Sequence, residues 1–206
     1  MPNTALWKAV WNLCSLPKID LFIWTLAHKS ILTGENLRRR GWEGPFRCPL
    51  CLHEEETTDH LLLNCNYSKE VWMKVTGSQP AINFPPDVIG ILLQWESLFP
   101  FADKKRNQTL LIWGLLPKFV LWNLWLERNH RIFKESQLSE VRIATKIQAM
   151  LGESAAHICS TVKLHKLDEE QGSWIAQFNI PGLESKKRSD LIQESWEIRK
   201  SGNELA

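Results

Sequence analysis

Apolar positions recur at intervals of three and four along most of the chain, and strand-like alternation is almost absent, so the pattern predicts helices. Leu6, Val10, Leu13 and Cys14 form a first stripe, with Trp7 and Trp11 beside it, and Pro17 ends that helix. "KIDLFIWTLAHKSIL" predicts a second helix that buries Ile19, Phe22, Ile23, Leu26 and Trp24. "TGENLRRRGW" reads as a short helix capped by Thr33 and stopped by Gly41, with Leu37 inward and Arg38, Arg39 and Arg40 outward. "NYSKEVWMKVTG" predicts a further helix that Gly77 closes, and "GSQPAINFPP" behind it is the strongest candidate for a boundary.

Downstream the helical spacing lengthens. "PDVIGILLQWESLF" starts near Asp87, and the following text runs to about residue 134 as one helix or as two meeting at Pro117. There Phe119, Trp122, Leu126 and Phe133 share an apolar stripe, while Glu127, Arg128, Asn129 and Arg131 supply a polar side. A second long helix over about 137–165 carries Val141, Ala144, Ile147, Leu151, Ala155, Ile158 and Val162 on one face. "GSWIAQFNIPG" is the one hint of a strand, and a charged helix over about 183–202 has a thin stripe of Leu191, Ile192 and Trp196. The expected architecture is all-α, with one domain over 1–76 and a helical extension over 77–206.

Composition narrows the class. A chain of 206 residues can bury a core, and 44% apolar with 23% charged residues is ordinary for a soluble globular protein. With a formal charge of +2, attraction to nucleic acid must come from local basic patches. The N-terminus has no export-signal pattern. "LLIWGLLPKFVLWNLWL" is too short and too interrupted by Pro117 and Lys118 for a membrane span, so no membrane partner is expected. Of five cysteines, three lie in one cluster and Cys14 and Cys159 stand alone, which fits a reducing compartment, nucleus or cytoplasm.

That cluster is "CPLCLHEEETTDHLLLNC", residues 48–65. Cys48 and Cys51 are spaced to turn back on themselves with both thiolates facing one ion. His60 and Cys65 lie about one helical turn or slightly more apart behind the capping residues "TTD" and are placed to close a tetrahedron. His53, two positions past Cys51, is aimed outward by the same turn and ranks below His60; the "EEE" carboxylates read as exposed turn residues. Three thiolates and one imidazole select one Zn2+, and a closed set of four leaves no position for a reacting water. The expected role of the zinc is to hold a small helical knuckle together, and no catalysis is expected.

"LWKAVW", "LPKIDLFIWTLAHKSILTGENLRRRG", "CPLC" and "EEETTDHLLLNC" together resemble the zinc-binding domain that follows the polymerase in reverse transcriptases of plant LINE-type (non-LTR) retrotransposons. Pro17, Lys18, Phe22, Trp24, Thr33, Leu37, Arg40, Gly41, Glu56, Thr57, His60 and Leu61 carry it in order over about 6–75. "LWNLWLERNHRIF" is similar to the Trp-x-x-Trp-x-x-Arg-Asn segment that commonly follows this domain. No paired-aspartate polymerase element accompanies it. The resemblance implies nucleic-acid association, with RNA or single-stranded DNA as partner. Arg38, Arg39, Arg40 and Arg47 beside the knuckle are the candidate phosphate contacts, and Trp42 is the candidate stacking residue. The alternative is a scaffold that meets a protein partner through the tryptophan-rich C-terminal region, where Trp174 and Trp196 lie.

Overall fold

The computed structural model describes residues 4–11, 16–77, 84–98 and 108–161, and among them it is helical with no strand. Pro17 sits at the start of α2 (Pro17–Ala27), where its missing N–H costs nothing, behind α1 (Thr4–Trp11). Gly41, at φ 81°, ends the short α3 (Gly34–Arg39), and Gly77, at φ 77°, ends α4 (Asn66–Thr76). α5 (Val88–Gln94) runs into a 3-10 turn at Trp95–Leu98, and α6 (Gln108–Phe133) and α7 (Glu140–Thr161) are the last elements among the described residues.

α6 is the spine. α2 packs on its flank, and α7 covers both α6 and α4. Ile112, Trp113, Leu115, Leu116, Phe119, Val120, Leu121 and Leu124 bury the middle of the helix nearly all round, as a central helix requires. The helix is continuous through Pro117, although a proline there deprives the carbonyl four residues earlier of its partner. That carbonyl belongs to Trp113, and the indole N–H of Trp95 donates to it at 2.7 Å. The Trp113 indole returns a bond to Trp95 O at 2.9 Å, with the rings stacked 4.6 Å apart. Lys118 is almost fully buried, donating to Val10 O at 2.6 Å and to Asp20 Oδ1 at 2.8 Å, so its charge ties α1 and α2 to α6.

Several expectations from the sequence need correction. The helical text from 87 to 134 is divided between α5, the 3-10 turn and α6. Trp24 is 40% exposed, because Ile19, Phe22, Ile23 and Leu26 define the inward face and Trp24 turns about 100° past Ile23 onto His28. Phe133, at the end of α6, and Val141, in the first turn of α7, are exposed, and Ile143 takes the inward place instead. The supposed polar side of α6 is internal at Glu127 and Arg128, for reasons that belong to the site. Among the described residues no helix is long and apolar enough to cross a membrane. Leu13, Cys14, the "DKKR" at 103–106, the strand hint around Trp174 and the charged helix with Trp196 lie outside the described residues, as do the side chains of Ala155, Ile158 and Cys159.

Candidate metal centre

The loop after α3 folds back on itself. Cys48 N–H donates to Glu54 O at 2.8 Å, Glu56 N–H to Phe46 O at 2.6 Å, and Arg47 and Glu55 form an isolated antiparallel bridge. Inside this hairpin Leu52 adopts φ 61° and its N–H donates to Cys48 O at 2.8 Å, which closes a tight turn with Cys48 and Cys51 on one side. The amides of Cys51 and Leu50 point at the Cys48 sulfur, as a metal-binding knuckle requires.

His60 and Cys65 come from a single π-helical turn, His60–Asn64. Its defining bond runs five residues back, from Cys65 N–H to His60 O at 2.7 Å, so the spacing of these two residues equals the repeat of the turn. The widened turn is held from α4: Ser68 Oγ donates to Leu61 O at 2.5 Å and the Trp72 indole to Leu62 O at 2.9 Å. At its start the His60 N–H donates to Thr57 Oγ1 at 3.0 Å. Leu61, Leu62 and Leu63 are buried and anchor the turn in the core.

The four ligand atoms lie within 4.8 Å of one another. Tetrahedral zinc, with Zn–S about 2.3 Å and Zn–N about 2.0 Å, separates two sulfurs by about 3.8 Å and sulfur from nitrogen by about 3.5 Å. Cys48 Sγ and Cys65 Sγ are 3.9 Å apart, and Cys51 Sγ and His60 Nε2 are 3.4 Å apart. The donor set and these two edges fit one zinc ion. The Cys65 thiol is held down at about 5 by the hydrogen bond from Cys48 and by the Ser68 and Tyr67 amides at the start of α4. Cys48 is pushed up by its bond to Cys65 and by burial. A cation at this place would be held by thiolates, so its binding releases thiol protons. His53 is exposed, with its ring turned to the carbonyl of Cys51, and takes no part.

Glu54 and Glu55 are exposed as expected of a turn, but Glu56 is buried. Its Oε1 accepts from Arg128 Nε at 2.6 Å, and its Oε2 accepts from Arg128 Nη2 at 3.0 Å and from the Gly34 N–H at 2.8 Å. It therefore caps α3, a role that falls to no side-chain oxygen of Thr33. Arg128 also donates to Leu32 O at 3.0 Å and to Asn129 Oδ1 at 3.0 Å. One turn on, Arg131 donates to Leu50 O at 2.9 Å and Pro49 O at 3.2 Å, both carbonyls of the knuckle, and lies over the Tyr67 ring. Glu127 holds Arg131 at 2.8 Å. Sequence reasoning assigned these residues to an outer face; the resemblance of "LWNLWLERNHR" to a segment that follows the domain was the available signal.

Of the candidate nucleic-acid residues, Arg38 and Arg39 lie in α3, Arg40 caps its C-terminal end, and Trp42 and Arg47 follow in the segment that leads into the hairpin. Arg38 pairs with Glu55 and lies 4.6 Å from the Phe46 centroid, and Arg39 pairs with Glu35. Arg40 and Arg47 are exposed and have no side-chain partner among the described residues. Trp42 is 45% exposed, edge-on to Phe46 at 5.8 Å, and its ring covers Gly44 so closely that a Cβ there would lie 2.0 Å from it. A shallow cleft of about 480 Å³ opens between Arg38, Trp42, Glu43 and Phe46.

Residues 1–72 match the family model described as zinc-binding in reverse transcriptase. The resemblance read from the sequence holds over that span, and the domain matched is the zinc-binding one and not the polymerase. A protein of Arabidopsis thaliana named as a ribonuclease H protein is 21% identical to this chain over 143 residues. The aligned stretch is 69% of this chain and 22% of that protein, so the chain spans about a fifth of the length of the curated relative it matches. No solved structure matches.

Proposed function

We propose that the chain is a non-catalytic module that binds one zinc through Cys48, Cys51, His60 and Cys65 and presents the outer side of the zinc hairpin to RNA or single-stranded DNA. A donor set of four protein ligands leaves no coordination position for substrate or water, which supports a structural metal. The observation that supports the nucleic-acid reading is the exposed indole of Trp42 at a cleft shared with Arg38 and Phe46, in a segment that also carries the exposed Arg40 and Arg47, which have no side-chain partner among the described residues. Arg38 and Arg39 are already neutralised by carboxylates, and Glu43 stands in the cleft, so affinity is modest. Reduced thiols suit the nucleus or cytoplasm.

Fluorescence anisotropy with labelled single strands tests this. Binding should weaken with salt at a slope of about −1.4 for two phosphate contacts, and Arg40→Ala with Arg47→Ala should flatten it. Gly44→Ala should displace the Trp42 ring and weaken binding while leaving the slope alone. Absence of binding at low salt by the zinc-loaded protein would sink the reading. The second reading, a protein partner, draws on Trp11 at 56% and Leu21 at 59% exposure, apolar side chains on α1 and α2 that nothing among the described residues covers.

A further inference from the structure

The two nitrogens of His60 have opposite surroundings. Nε2 lies inside the cluster, 3.4 Å from Cys51 Sγ, whereas Nδ1 is turned out of it, buried, and without a well-formed hydrogen bond. A neutral imidazole that gives its Nε2 lone pair to a metal keeps its proton on Nδ1. Metal binding therefore makes Nδ1 an obligatory donor at a place water does not reach. Glu54 Oε2 stands 3.2 Å away. Its backbone is fixed on both sides, by the bond from Cys48 N–H to Glu54 O and by the bridge at Glu55, so the hairpin that builds the knuckle also delivers this carboxylate to the ring. The Glu54 side chain is 69% exposed and free to rotate its carboxylate into line with the Nδ1–H.

We infer that Glu54 is a positioning residue for the metal centre: its carboxylate accepts the Nδ1–H of His60 when Nε2 is on the metal, fixing the tautomer and the plane of the ring. The inference rests on the four-ligand reading above. A partner of this kind typically contributes tenfold to a hundredfold in metal affinity, and the exposure of Glu54 places it at the lower end.

The test uses the full chain loaded with zinc, a competing chromophoric chelator to read affinity, and 15N resonances of the His60 imidazole. Glu54→Ala should weaken zinc about tenfold, and Glu54→Gln, whose amide oxygen still accepts, should recover most of that. In the wild type the His60 Nδ1–H should be observable and slow to exchange; in Glu54→Ala it should exchange quickly and shift. Equal affinities and an unmoved Nδ1–H would overturn the inference, as would equal weakening by Ala and Gln. Should Glu54→Ala not fold, the lack of a slowly exchanging Nδ1–H in the wild type overturns it alone. Less than one zinc per wild-type chain would instead overturn the four-ligand reading beneath it.

Discussion

Glu56 shows how much one carboxylate can carry. It neutralises Arg128 through both oxygens, caps α3 at Gly34, and does so with its side chain only 3% exposed. Two charges in such a place cost desolvation that their attraction roughly repays, so the pair adds little net stability while its halves depend on each other. Removing one partner strands the other. Glu56→Ala should therefore destabilise the zinc-loaded protein by about 3–5 kcal/mol, measured by urea unfolding. Replacing Glu56 and Arg128 together by apolar residues of similar size should cost clearly less than the sum of the two single changes. Additive losses would mean that the two residues act separately. The run "EEE" offers no clue to this division of labour, because burial of the third glutamate is decided by an arginine 72 positions away.

The two elements that shape the centre differ in how far their sequence declares them. The knuckle is legible, since a Cys-x-x-Cys pair has few geometries that serve a metal. The π-helical turn is not, because its residues read equally well as one turn of α-helix, and what widens it comes from α4 through Ser68 and Trp72. Pro117 is a similar case: from sequence it marks a possible joint, and only the distant Trp95 indole shows why the helix passes through unbroken. Apolar periodicity found the buried face of α2, apart from Trp24, but misread the polar residues of α6, since a polar stripe means solvent only when nothing polar packs on it. The spacing of the π-turn is itself testable. One alanine inserted between Leu62 and Leu63 should carry the Cys65 sulfur out of the cluster. Zinc affinity should then fall by more than the ~100-fold that loss of an outer-shell partner costs, and the cobalt-loaded protein should lose its tetrahedral absorption. An unchanged spectrum would mean that the turn re-forms around the metal and does not preset it.

At the scale of the molecule, the metal centre is clamped between parts of the chain far apart in sequence. Arg128 and Arg131 of α6 hold the carboxylate and carbonyls of the zinc hairpin, and α7 packs along α4. Tyr67 of α4 donates to Leu138 O at 2.7 Å, just ahead of α7. The boundary suggested near residue 76 is thus crossed by buried ion pairs and by the α4–α7 contact, and these contacts predict that folding energy from zinc is shared across it. Zinc removal from the full chain should lower amide hydrogen-exchange protection at 48–65 and at 120–131 together. A chain cut after residue 76 should bind zinc more weakly than one cut after 161, because Trp72 and Val75 then lose the helices that cover them. Protection of 120–131 that survives chelation, with equal zinc affinity in both fragments, would show that the arginines dock on a hairpin already folded by its own metal. The coupled outcome would mean that the "LERNHR" segment is part of what the zinc holds.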